Sequence, residues 1–212
     1  NRNIFVSLWG IDSNEKGYGL QDWKAGLGIR NLLAKINLRL SENLSKESNI
    51  FIIDFERIKS QIEEPLFPKL WYAAKIPYND KFFNLATDEI YNAIISLKGQ
   101  NKKIIILDLD NTLWGGVVGE TGWDGIRLGG HDHIGEAFVD FQKKIKTLSR
   151  CGIQIAVVSK NDEKVALDVF DNHSEMIIKK SDLAGWRINW MDKAKNIEDL
   201  LKEINLGKSS AV

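Results

Sequence analysis

The chain is poor in the residues that build disulfide scaffolds, histidine-rich centres and membrane spans. Of its 212 residues one is cysteine (Cys151), three are proline and three are histidine. A single thiol cannot close an internal disulfide, so the sequence reads as the product of a reducing compartment and the cytoplasm is the expected location. No apolar run approaches the ~18–20 residues that cross a bilayer, and Asn1-Arg2-Asn3 lacks the charged-then-apolar grammar of a secretory signal, so no membrane partner is expected. Charge of one sign is also lacking. Lys and Arg number 29, Asp and Glu 29, and a formal net charge of zero argues against the electrostatic footprint of a nucleic-acid binder. The first histidine is His131, so the first hundred residues cannot assemble a Ser-His-Asp triad by themselves. There is no internal repeat, no low-complexity tract, and no Walker or G-x-G-x-x-G pattern.

What is present is an ordinary globular composition, 43% hydrophobic and 27% charged. The opening residue is not Met, and the closing Lys208-Ser-Ser-Ala-Val212 turns apolar where a strand would begin, so both ends read as cuts. Ile4–Trp9 reads as a short buried strand, followed by a Gly- and Asp-rich loop to about Gly28. Ile29, Leu32, Leu33, Ile36 and Leu40 fall at helical spacing and predict a helix over Ile29–Leu44. Asn49–Phe55 reads as a strand. The segment from Ile62 to Tyr78 holds all three prolines and reads as an ordered connection without regular structure. Asp80 is placed to cap a helix that Gly99 stops. Ile104-Ile-Ile-Leu107 is a strand buried on both faces. A helix over Ile134–Arg150, a strand over Ile153–Val158, a helix near Glu163–Asn172, a short strand at Met176–Ile178 and a helix capped by Asp192 complete the chain. This alternation predicts an α/β protein with an open parallel sheet and helices on both faces, its chemistry at the carboxyl ends of the strands.

Asp108-Leu-Asp-Asn-Thr112 follows the Ile104–Leu107 strand directly. Alternation along an extended chain lets Asp108 and Asp110 point the same way. Two like charges at an apolar strand end require a cation or hydrogen bonds, and a hard divalent ion, Mg²⁺, is the natural partner. One carboxylate could then attack phosphorus while the second donates a proton to the leaving oxygen. The alternative is a turn in which Asp, Asn and Thr side chains cap the following segment.

Ile104–Thr112 resembles the first motif of the haloacid dehalogenase (HAD) superfamily. The longer run Asp108-Leu-Asp-Asn-Thr-Leu-Trp-Gly-Gly-Val-Val-Gly-Glu120, with Ser159-Lys-Asn161 and Asn189-Trp190-x-x-Lys193, is similar to its FkbH-like subfamily (subfamily IIIC). The resemblance covers Lys102 to Val212. It implies a Rossmann-like sheet in which Asp108 is a nucleophile forming an aspartyl-phosphate. Asp110 would be the general acid and then the base, Thr112 would steady the loop, and Ser159 and Lys193 would bind the phosphoryl oxygens. Asp108 and Asp110 would hold Mg²⁺, the latter through its main-chain carbonyl, and Trp114, Gly115, Lys160 and Asn161 would face substrate. Lys193 has a separate rationale: a cation in the first turn of a helix opposes its dipole unless an anion fills the site. The superfamily's fourth, acidic motif would follow a strand starting near Ser210. With the sequence ending at Val212, one or two metal ligands are expected to be missing, Mg²⁺ binding weak, and activity low or absent.

Seven of the 17 glycines lie between Gly115 and Gly130, which predicts a small mobile flap, a hairpin of tight turns beside Asp108. His131 and His133 read as loop polar residues rather than a metal pair. Neither Thr112–Ser159 nor Ser159–Lys193 has room for a large cap, so an open site and a large or protein-borne substrate are expected. Within residues 1–100, Leu70-Trp-Tyr-Ala-Ala-Lys-Ile-Pro77 is similar to the close of an SGNH-hydrolase-like domain. The first hundred residues would then be the end of a second α/β domain, with Trp71 and Tyr72 packing a junction, and 101–212 the catalytic one. The family resemblance implies phosphoryl-transfer chemistry on a phosphorylated small molecule, with glyceryl from bisphosphoglycerate loaded on an acyl carrier protein. The alternatives are a phosphatase for a sugar phosphate or polysaccharide precursor, and a non-catalytic scaffold that docks carrier proteins.

Overall fold

The computed structural model describes residues 2–11, 17–130 and 132–212. His131 lies outside the described residues, so the His131 and His133 pair is not assessed; His133 itself is exposed. The chain divides into two compact units, Asn1–Gly99 and Gln100–Val212.

In the first unit, strands β1 (Ile4–Ser7) and β2 (Ile50–Ile53) pair in parallel, Ile4 opposite Ile50, and helix α1 (Ile29–Leu44) makes the crossover between them. β2 is shorter than its apolar run because Asp54 ends it: its carboxylate accepts from Arg57 N–H and caps a short helix, α2 (Phe55–Lys59). The proline-bearing segment is not irregular throughout. Helix α3 (Pro68–Ala74) begins on Pro68, whose missing N–H costs nothing in a first turn, and ends where Lys75 turns left-handed at φ 58°. Helix α4 (Asp80–Leu97) is capped by Asn79, not by Asp80 as expected: the Asn79 side chain accepts from Phe82 N–H and donates to Glu64 O, which ties the helix start to the preceding loop. The core of this unit is Ile53, Ile58, Phe82 and Ala86, with the Tyr78 ring 4.0 Å from that of Phe82.

The second unit is a three-stranded parallel sheet in the order β3-β4-β5: β3 (Ile104–Leu107), β4 (Gln154–Ser159) and β5 (Leu183–Ile188). Ala211 bridges in parallel to Ile104 on the free side of β3, with Lys103 N–H on Ser210 O and Ile106 N–H on Val212 O. Alternation along β4 serves two cores. Ile155 and Val157 face α6 (His133–Arg150) and α7 (Glu163–Asn172), while Ala156 and Val158 pack with Leu200 and Leu201 of α8 (Lys193–Glu203). Helices therefore cover both faces, as the alternating pattern predicts.

Two local expectations fail here. Met176–Ile178 is not a strand. The N–H groups of Ile177 and Ile178 both go to Gln142 Oε1, so a buried side chain, not a ladder, takes those donors. The third strand is β5, hidden in the sequence by Gly185 and Arg187. Gly185 is small for a packing reason, since a Cβ there would lie 2.9 Å from Leu200 Cδ1. The glycine-rich segment is also not a projecting hairpin. Gly115 and Arg127 form a single antiparallel bridge, with a one-turn helix α5 (Val118–Thr121) between them. Trp114, Val118, Ile126 and Leu128 are all in the core, which anchors the segment to the sheet.

Gln142 is fully buried and uses both ends of its amide, donating to Leu113 O and accepting from Ile177 and Ile178 N–H. Gln142→Ala orphans those groups and leaves a cavity. It should lower unfolding free energy by ~2–4 kcal/mol in urea denaturation; a change below ~0.5 kcal/mol would show that the amide is dispensable.

Candidate active site

The carboxyl ends of β3 and β4 and the first turn of α8 meet on one carboxylate. Asp108 immediately follows β3. Its Oδ1 accepts from Leu109 N–H at 2.9 Å and its Oδ2 from the ammonium of Lys193, 85 residues further on, and the Ser159 hydroxyl also acts on the group to hold its pKa down. Ser159 is the last residue of β4 and 2% exposed, whereas the side chains of Asp108 and Lys193 are 38% and 39% exposed. Ser159 is thus buried while the Asp108 side chain is reachable from solvent. Desolvation alone would raise the Asp108 pKa, but Lys193, Ser159 and the Leu109 N–H together outweigh it and hold the carboxyl below its ordinary value.

Lys193 opens α8, whose N-cap Asp192 accepts from Lys195 N–H. The turn before it is rigidly tied. Asn189 N–H donates to Ser159 O at 3.1 Å, Asn189 Oδ1 accepts from Met191 N–H and from Asn196 Nδ2, and Asn189 Nδ2 donates back to Asn196. This pair of asparagines fixes the start of α8 against the end of β4.

Asp110, two residues further on, is half-buried. Its Oδ1 accepts from Trp114 Nε1 at 2.9 Å and Val118 N–H at 3.1 Å, and its Oδ2 accepts from Asn161 Nδ2 at 2.9 Å. The loop that carries it is closed by the N–H groups of Thr112 and Leu113 on Leu109 O. Asn111 is left-handed at φ 56° and accepts from Gly116 N–H, so it makes the turn that brings the 114–118 segment over Asp110. The closing bonds are main-chain ones; the side chain that locks the turn is that of Asn111, not Thr112.

Three of the four residues expected to face substrate lie elsewhere. Trp114 is fully buried with its indole N–H on Asp110. Gly115 is buried and bridged to Arg127, with room for a Cβ denied by the Phe138 ring at 2.9 Å. Asn161 is 4% exposed, and its amide is committed to Asp110 on one end and Asp162 N–H on the other. Lys160 is exposed. Asn111, Val118 and the Asn189–Asn196 pair were not read as site residues in the sequence. Asn111 carries a signal, since Asn is the side chain that best tolerates a left-handed turn; a main-chain donor such as Val118 N–H carries none.

Among the described residues no group of three or more His, Cys, Asp or Glu side chains gathers as a metal site. The available hard donors are the half-exposed Asp108 carboxylate and the main-chain carbonyl of Asp110. That set suits an ion that keeps several waters and takes the rest of its oxygens from a bound phosphate, the habit of Mg²⁺.

No family model matches this sequence, and no curated protein matches it. Among solved structures the chain is similar to the N-terminal part of the protein BF1531 from Bacteroides fragilis, which contains a phosphatase domain and was crystallised in complex with Mg. The two share 31% sequence identity at a TM-score of 0.89. The match covers 99% of this chain, which spans 56% of the length of that one. The parallel α/β fold described above is therefore shared with a phosphatase-containing protein.

Because the Asp108 pKa is depressed, the stabilisation from its contacts is complete above the unfolded value of 3.8 and lost as pH falls through the folded one. A ¹³C titration of the Asp108 carboxyl should therefore give a midpoint below 3.8, and Lys193→Met should move it upward. An unmoved midpoint would mean that the ammonium does not act on this carboxylate.

Proposed function

We propose that this chain carries the catalytic aspartate, Asp108, of a Mg²⁺-dependent phosphatase of HAD type that works through an aspartyl-phosphate. The observation that carries the reading is the convergence of Lys193 and Ser159 on the Asp108 carboxylate. A candidate nucleophile just after β3 and two candidate anion-binding donors, at the end of β4 and the start of α8, support binding of one tetrahedral phosphoryl group there. The likeness to a Mg-complexed phosphatase domain supports the same chemistry.

In the first step an Asp108 oxygen attacks phosphorus in line and the bond from phosphorus to the leaving oxygen breaks. Lys193 and Ser159 transfer their hydrogen bonds from the carboxylate to the phosphoryl oxygens. Asp110 supplies the proton that the leaving oxygen takes up. Both lone-pair directions of its Oδ1 are filled by Trp114 and Val118, whereas Oδ2 holds only Asn161, so Oδ2 is the atom with a lone pair open for proton exchange. In the second step a water attacks phosphorus, gives its proton to Asp110 Oδ2, and phosphate leaves with restoration of the Asp108 carboxylate. The Asp108 carboxylate and the Asp110 carbonyl would hold Mg²⁺, which would supply neutralisation of phosphoryl charge.

The substrate class rests on the FkbH-like resemblance. It is a phosphorylated three-carbon acyl unit, glyceryl from bisphosphoglycerate, passed to an acyl carrier protein. Residues 160–192 add only α7, a 3-10 turn and β5, with no inserted cap, and an open site admits a carrier-borne substrate. The first unit is read as the end of an SGNH-hydrolase-like domain.

Asp108→Asn in the intact protein should lower phosphate release by at least ~10³-fold while leaving the fold and any carrier-protein binding unchanged. Phosphate release assays and a carrier-protein pull-down check this. Undiminished turnover would remove the aspartyl-phosphate, and release from small phosphomonoesters without any carrier would favour the sugar-phosphate reading instead.

A further inference from the structure

Three neutral donors converge on Asp110 from two loops that are far apart in sequence, Asn161 lying 51 residues from its acceptor. None of them needs this carboxylate for folding alone. A buried indole N–H is satisfied by any carbonyl, and a primary amide after a strand usually closes its own turn. Here the Asn161 oxygen does close the turn, on Asp162 N–H, which leaves the nitrogen to point at Asp110. Trp114 cannot shift to accommodate another acceptor, because it is fully buried and packs edge-on to Phe170 of α7, ring centroids 6.0 Å apart. Among the described residues no cation is ion-paired with Asp110, so its direction is set by these donors. Filling Oδ1 from one side and holding Oδ2 from the other leaves the carboxylate one orientation, with a single free lone-pair site on Oδ2.

We infer that Trp114 and Asn161 are positioning residues, a buried clamp that fixes the Asp110 carboxylate so that Oδ2 faces the leaving group of a phosphomonoester. The inference rests on the phosphatase reading for its function, but the clamp itself is a property of the resting protein. It also couples two segments, because the 114–118 loop and the β4–α7 loop are joined through the one carboxylate. Trp114→Phe keeps most of the ring volume and removes the N–H. Asn161→Ala removes the second donor from the opposite loop.

The deciding readout is dependence on the leaving group. A nitrophenolate departs without a proton and an alkoxide does not, so loss of aim should be selective. Each variant, in the intact protein with Mg²⁺, should lose about tenfold in kcat/KM on glycerol phosphate and less than about threefold on p-nitrophenyl phosphate. In an Asp110→Ala background the same substitutions should add nothing further. Equal losses on both esters, or losses that persist in that background, would mean that the residues serve packing alone and would overturn the clamp. A second measurement needs no turnover. The indole N–H resonance of Trp114, identified by its absence in Trp114→Phe, should shift on Asn161→Ala and on Asp110→Ala, and a resonance indifferent to both would overturn the clamp as well. A protein without phosphatase activity would instead defeat the reading in the preceding subsection, while the resonance would still decide the clamp.

Discussion

A carboxylate at the end of a buried strand is the constraint on which this unit depends. β3 contributes Ile104 and Leu107 to the two cores, and Asp108 follows without a spacer. Burial works against its charge, and the opposing contributions come from a main-chain N–H beside it, a hydroxyl at the end of β4 and an ammonium at the start of α8. No local structure could bring these together. A parallel sheet does so because every strand in it ends at the same edge, so a residue placed just after one strand meets those placed just after the others. The registers Leu107 opposite Val157 and Ser159 opposite Ile188 set that edge.

The loop after Asp108 solves a second problem with different means. Asp110 sits next to a carboxylate that already holds the site's lysine, and it is held by neutral donors. Those donors explain why the glycine-rich segment is anchored. Trp114 and Val118 must be in the core for their N–H groups to reach Asp110, and the tight turn at Asn111 brings them there. Gly115 permits close approach of the segment to Phe138 of α6, while Gly116, Gly122, Gly129 and Gly130 make its turns at positive φ.

The elements that the sequence makes legible are those with a strong period or a clear cap. α1 and β3 have the expected limits because apolar spacing and the Ile-Ile-Ile-Leu run mark them, and α7 spans the expected residues with Asp162 as its N-cap. β5 was not legible, since Gly185 is selected by contact with α8 and Arg187 by its pairing with Glu203 of the same helix, neither visible in a one-dimensional pattern. Met176–Ile178 misleads for the converse reason: it is apolar, but a glutamine 34 to 36 residues upstream takes the place of a neighbouring strand. At the site, Asp108, Ser159 and Lys193 could be named from motif order, and the structure brings them together. Trp114, Gly115 and Asn161 could be named but not placed, because whether a polar group faces solvent or a neighbouring carboxylate depends on the packing around it.

The pair between Lys193 and Asp108 contributes little as a stabilising contact. Both side chains are more than a third exposed, and ion pairs of that kind are worth little in water. A lysine in a first helical turn also opposes the helix dipole. A pair with weak net stabilisation is cheap to exchange, which is what the proposed chemistry requires. In that proposal the carboxylate holds the anion site of the resting protein, and an incoming phosphoryl group would take over the ammonium and the hydroxyl as the carboxylate becomes its ester. A deeper, tighter salt bridge would hold Asp108 more firmly and, by the same energy, oppose the transfer. The partial exposure of this pair is thus consistent with a site that must release its own internal anion in every turnover.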